Sequence, residues 1–223
     1  RTDARIRQKS WLAYEDGAQI ARVAVRLAWY DGHDPAELLE QDLFITAVPL
    51  EKRELLLDIQ TSFRPAAEQL ELGMTNFGFL AVRMAKHLSA HFGDGTISDS
   101  EQRVGEPQVF GQTARWVDYS GSAPKNPFGV QREGITFLDH PDNVGHPSRW
   151  HVREDGWMGA SLCMQQSLVL QRASPLRLRY GLFVHAGADR ESIEAQTLLF
   201  NELPALGIRR GTKKHEQYEI VES

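Results

Sequence analysis

Leu176–His185 reads LRLRYGLFVH, and this stretch decides the fold class. Leu176, Leu178, Tyr180, Leu182 and Val184 fall on one face of an extended chain, with Arg177 and Arg179 on the other. A period of two is the mark of a strand with one face in a core. Residues 19–30, QIARVAVRLAWY, show it again, and Asp31-Gly32 ends the run. The same reading fits residues 42–48, 55–63, 69–74, 78–84, 113–119, 129–138, 150–153 and 157–164. Turn residues separate these runs, as at Gly93-Asp94-Gly95, Ser120-Gly121 and Ala186-Gly187. Many short strands divided by Gly and Pro predict an all-β protein, an antiparallel β-sandwich of plain or supersandwich type. Two short helices interrupt it, at residues 35–41 and at 190–203, the second with Asp189 as N-cap. One domain over residues 1–208 and a polar tail or late edge strand over 209–223 follow.

Composition narrows the function classes. The net charge of -5 on 223 residues argues against a basic face for nucleic acid. No apolar run approaches the roughly 20 residues of a membrane-spanning helix, and no signal peptide is visible. Cytoplasmic localisation and a homo-oligomeric state are the accompanying expectations. The single cysteine, Cys163, forms no internal disulfide and reads as a small buried hydrophobe. No phosphate loop, dinucleotide glycine fingerprint or serine-hydrolase elbow is present.

Chemistry concentrates in residues 135–156, ITFLDHPDNVGHPSRWHVREDG. An apolar strand delivers Asp139 and His140 into a turn built on Pro141, Asn143, Gly145 and Pro147, and the chain returns through Trp150, His151 and Arg153. Polar loops held between strands commonly carry function. If the turn is a hairpin, His140 and His151 face each other as an acid/base pair or as ligands of a divalent metal. The alternatives are a sugar- or acid-binding histidine and a structural one. A second group lies in TARWVDYSG, where Trp116 and Asp118 share a face and Tyr119 lies opposite. Trp beside a carboxylate suits a sugar ring; a core Trp with Asp closing a turn is the plain alternative. Arg83, in GFLAVRMAK, needs an acidic partner or a ligand oxygen, as does Arg153 beside Glu154 and Asp155.

Three motifs in this order, TNFGFLAVRMAKHLSAHFGDGTI (75–97), FGQTARWVDYSG (110–121) and ITFLDHPDNVGHPSRWHVREDGWMGA (135–160), resemble the PmoA-like family, also labelled "methane oxygenase PmoA". The resemblance covers residues 72–185. It implies a bacterial, sandwich-like protein encoded near sugar oxidoreductases, and it singles out Arg83, Trp116, Asp118, Tyr119, Asp139, His140, Asn143, His151 and Arg153. The family's upstream His-rich motif has no counterpart before Leu72. The chain is therefore expected to be the C-terminal part of a longer protein, or to lack one wall of the site.

The leading expectation is a sugar-active enzyme working on a carbohydrate or keto-sugar. In it His140, His151 and Asp118 are catalytic, and Arg83, Trp116, Tyr119, Asn143, Trp150 and Arg153 bind substrate. The alternative is a non-catalytic carbohydrate-binding or oxidoreductase-associated module, with a platform drawn from Trp29, Trp116, Trp150 and Trp157.

Overall fold

The computed structural model describes residues 3–125 and 127–222; residues 1, 2, 126 and 223 lie outside the description. In chain order the strands are β1 (Arg5–Glu15), β2 (Ala21–Tyr30), β3 (Leu39–Pro49), β4 (Leu55–Pro65), β5 (Gln69–Leu72), β6 (Ala81–Arg83), β7 (Thr96–Asp99), β8 (Trp116–Ser122), β9 (Arg132–Asp139), β10 (Arg149–Arg153), β11 (Trp157–Ser161), β12 (Leu168–Gln171), β13 (Leu176–His185), β14 (Leu206–Arg210) and β15 (Tyr218–Glu222). The helices are the one-turn α1 (Glu106–Val109) and the longer α2 (Arg190–Glu202). Eight strands form one antiparallel sheet in the order β1-β2-β3-β4-β13-β9-β8-β7. A three-stranded sheet, β10-β11-β6, and the pairs β12-β5 and β14-β15 complete the architecture.

The alternation in β13 sets the layers. Its even-numbered Leu178 and Tyr180 join Phe137, Val117, Tyr119, Trp150, Val152 and Met158 in the principal core, between the large and the three-stranded sheet. Its other face carries Phe183, which packs with Leu56, Trp116, Leu138 and the α2 residues Ile193 and Phe200. Burying an aromatic of this size contributes roughly 1.5–3 kcal/mol. Further along the same face, Ile220 of the β14-β15 hairpin packs on Leu12, Ala24 and Phe44. The order of layers is therefore helix and hairpin, large sheet, small sheet.

The expected all-β architecture is present, with several local differences. Residues 35–41 do not form a helix: Asp31 Oδ1 accepts the main-chain N–H of His33 at 2.8 Å and Asp34 Oδ1 that of Ala36 at 2.7 Å, which holds a bend, and β3 begins at Leu39. Helix α2 begins as expected, with the Asp189 side chain accepting from Ser192 N at 2.9 Å. Of the two expectations for residues 209–223, the late strand is found: Tyr218–Glu222 forms the second strand of a hairpin, where Ile208 and Ile220 pair and Ile220 is covered by the large sheet.

On the helix side of the large sheet lies a buried ion pair. Arg179 Nε and Nη2 donate to the two Asp58 carboxylate oxygens, both at 2.9 Å, and Nη2 also donates to the Leu203 carbonyl at 2.9 Å. Gln60 Nε2 donates to Asp58 at 2.8 Å and its Oε1 accepts from Leu206 N at 2.8 Å, tying the hairpin to the same pair. Removing one partner strands the other charge, whereas removing both does not. Asp58→Ala is expected to lower the unfolding free energy by roughly 3–5 kcal/mol, and Asp58→Leu/Arg179→Met by distinctly less. Urea unfolding checks this; equal losses in the single and double variants would mean the pair is not coupled.

Candidate functional site

Strand β9 belongs to the large sheet and β10 to the small one, so the turn at residues 140–148 is a crossing between layers. Asp139 organises that crossing. Its carboxylate accepts from Asn143 Nδ2 at 2.7 Å and Ser148 N at 2.6 Å, and pairs with His146 Nδ1 at 2.9 Å. Asn143 in turn bonds both main-chain groups of Arg179 at 2.7 Å. The crossing sends His140 to the helix side of the large sheet and His151 to the outer face of the small one.

On that outer face, register places His151 opposite Gly159 and Arg153 opposite Trp157, and places Trp157 beside Arg83 and Gly159 beside Ala81. The row next to His151 thus carries no large side chain; a Cβ on Gly159 would sit 3.2 Å from that of Ala81. The segment before β6 lies directly on β11. A Cβ on Gly78 would fall 1.8 Å from the Ala160 carbonyl oxygen, a contact only glycine avoids. This close approach brings Asn76 and Phe77 over His151. The Phe77 ring lies 4.9 Å and the Phe110 ring 5.4 Å from the imidazole, both edge-on, with Trp157 at 6.1 Å.

His151 is only 6% exposed, and its ring lies close to the Asn76 main chain. Its Nδ1 is buried and has no hydrogen-bond partner. Burial, ahead of the charge of Arg153, pushes the imidazole below its ordinary range and keeps it neutral. The Trp157 indole N–H is likewise buried without a partner. Buried polar groups are nearly always paired, so a neighbouring orphan acceptor and donor call for an explanation. At the rim, Arg83 Nη1 and Arg153 Nη2 share Asp155, each 3.1 Å from a different carboxylate oxygen. Both guanidiniums stay about half exposed, at 53% and 52%, and Arg83 stacks 5.3 Å from the Trp157 ring centre. Two guanidiniums thus share one carboxylate, with Glu106 also near His151.

Of the residues expected from sequence, Arg83, His151 and Arg153 come together here, while His140 and Asp118 do not join them. His140 sits against Phe200 at 5.3 Å, with Nε2 3.4 Å from Arg179 Nη1 and Nδ1 accepting from Asp142 N at 3.2 Å. Burial and the Arg179 charge hold it neutral. Asp118 lies on the helix side, accepting from Thr136 Oγ1 and bonded to His185 Nε2, both at 2.8 Å. The facing of His140 and His151 is corrected by the layer crossing. Trp116, Tyr119 and Trp150 are core residues with satisfied polar tips: Trp116 Nε1 donates to Glu194, Trp150 Nε1 to the Ala114 carbonyl, and Tyr119 OH to the Glu154 carbonyl. Asn143 is consumed by Asp139 and Arg179. Of the expected platform only Trp157 faces outward; half-buried Trp29 packs on Phe63. Among the described residues no group of three or more His, Cys, Asp or Glu side chains could hold a metal ion. Cys163 is buried, and burial pushes its thiol up, as for a structural residue. Of the two acids expected beside Arg153, Asp155 is the one that pairs with it; Phe77 and Phe110 have no such expectation, and Gly78 within TNFGFL is the signal available for Phe77.

Among the described residues no helix is long and apolar enough to cross a membrane. No curated protein and no solved structure matches the chain. One family model does, over residues 1–197, a span that includes the whole small-sheet face and the principal core and ends within α2. The chain belongs to that family, DUF6807, described as a family of unknown function.

Proposed function

We propose that the outer face of the small sheet binds a hydroxylated ring bearing a carboxylate, a sugar acid, as a carbohydrate-binding surface. The observation that carries this reading is the unpartnered pair, His151 Nδ1 and Trp157 Nε1–H, beneath the rim of Arg83 and Arg153. A neutral imidazole whose Nδ1 has no protein partner can offer a lone pair to a ligand hydroxyl. The indole N–H donates to a neighbouring oxygen. The guanidinium forks suit a carboxylate. Phe77, 56% exposed, supplies an apolar face for ring C–H groups and swings aside to admit the ligand to Nδ1.

A second reading, acid–base turnover of the same ligand, is favoured by the neutral, oriented state of His151, which suits a general base. It rests on one histidine, since His140 shares no partner with it.

Glucuronate and glucose serve as probes, with tryptophan fluorescence as the readout. Glucuronate is expected to bind and glucose at least tenfold more weakly; Trp157→Ala or Arg153→Gln should weaken glucuronate at least tenfold, about 1.4 kcal/mol. Equal affinity of the wild type and both variants would overturn the reading.

The state of His151 predicts a pH dependence. The unfolded imidazole titrates near pH ~6.5 and the buried one lower, so the unfolded chain binds the proton first. The stability that the neutral ring contributes is complete above about pH 6.5 and is lost as pH falls below it toward the depressed value. His140, depressed in the same direction, adds to the loss. Thermal melts should fall between pH 7.5 and 5.5, and His151→Gln should fall less. An unchanged slope in that variant would show that His151 is not held neutral by burial.

A further inference from the structure

A second site lies on the opposite side of the molecule. Between the β14-β15 hairpin and the helix-side face of the large sheet runs a cleft of about 900 Å3. That size suits a small organic ligand. Its cations fall into two kinds. Arg26 and Arg179 are committed, Arg26 to Asp42 at 2.6 and 2.8 Å and Arg179 to Asp58. Arg64 and Arg177 are not. Among the described residues neither has a carboxylate within ion-pair distance, and Arg64 makes only a long 3.4 Å contact with the Arg172 carbonyl.

Both are exposed and share one face of the sheet. Arg177 pairs in register with Ser62, and Arg64 is two residues further along the same strand, so the two are diagonal neighbours. Such neighbours lie about 7–8 Å apart at Cα, within reach of one another for long side chains. Two like charges in that relation repel. Glu40 stands opposite Arg64 in register, but Lys9 at 3.2 Å and Arg26 at 3.3 Å engage it, and Arg26 also holds Asp42. Asp142, the remaining acid of the lining, stands at the mouth with its side chain 90% exposed, beside His140. Across from the arginines, Phe44, Leu206, Ile208 and Tyr218 give the cleft an apolar wall.

From this arrangement we infer that the cleft binds a phosphate monoester of a small organic molecule. Arg64 and Arg177 grip the phosphate, and the organic part lies along the hairpin. A phosphate offers three terminal oxygens and close to two negative charges, enough to satisfy two guanidinium forks at once; a carboxylate offers two oxygens and one charge. This inference is independent of the sugar-acid reading, because the two faces have no residue in common.

Isothermal titration with glucose 6-phosphate, inorganic phosphate and glucose tests it on the full chain. Glucose 6-phosphate is expected to bind at least tenfold more tightly than inorganic phosphate, and glucose not to bind in the cleft. Arg64→Gln/Arg177→Gln should weaken glucose 6-phosphate at least tenfold, Arg177→Lys less, and Trp157→Ala not at all. Since both arginines are exposed, the variants should melt as the wild type does in buffer without phosphate. Wild-type affinity in the double glutamine variant would overturn the inference, and so would equal affinity for inorganic phosphate and the monoester.

Discussion

The structure turns on one buried carboxylate. Asp139 ends β9 and gathers Asn143, His146 and Ser148 around itself. Desolvation pushes its carboxyl above the usual carboxylate range, and the bonds from Asn143 and Ser148 and the neighbouring His146 pull the other way. The cost of burying this group is met only when all of these partners are present, so the turn has essentially one conformation. Asn143 extends the constraint to β13 through both main-chain groups of Arg179. The path from large sheet to small sheet is thereby fixed, and with it the side of the molecule on which each histidine emerges.

Two other buried polar groupings do comparable work on the helix side. Arg179-Asp58 joins the sheet to the end of α2 and, through Gln60, to the hairpin. Asp118-His185-Thr136 fixes β8, β9 and β13 in register beneath the start of α2, where His185 Nδ1 accepts from Ala188 N at 3.0 Å. In both, the His185 ring nitrogens, the two Asp58 oxygens and Asp118 Oδ1 each bond a protein group. The small-sheet face differs: His151 and Trp157 each keep one buried polar atom with no such group. That contrast, more than the presence of histidine, supports the proposed reading of the small-sheet face.

Much of the fold was legible because most strands bury one face. Strand β13 alternates without interruption and was read to its exact ends. Strand β1 was not read, for a reason visible in its pairing: register shifts at Gln8/Ser10 and Trp11/Ala13 insert extra residues and break the period of two. Residues 35–41 combine Pro with Glu, Leu and Gln, which favours a helix locally, but pairing of β3 with both β2 and β4 outweighs that preference. The site was legible only in part. Sequence proximity grouped His140 with His151, because nothing in the residues between them says whether a turn closes a hairpin or changes sheets. Trp116, Tyr119 and Trp150 carry chemistry that suits a sugar equally well in a core or on a surface, and only layer assignment distinguishes the two.

The same layer logic explains why an open face was retained on the small sheet. A three-stranded sheet whose inner face supplies Trp150, Val152 and Met158 to the core already makes its contribution to folding from one side. On its outer face Phe77 and Phe110 cover His151. Gly159, opposite His151, is closely packed: an added Cβ would lie 3.2 Å from the Ala81 Cβ and 3.3 Å from the Leu80 carbonyl oxygen. A shared Asp155 draws two arginines together at the rim, one of them over the Trp157 ring. Unpaired buried atoms and neighbouring cations on one face are costs to stability, and they are what supports the proposed reading of this face as a ligand surface.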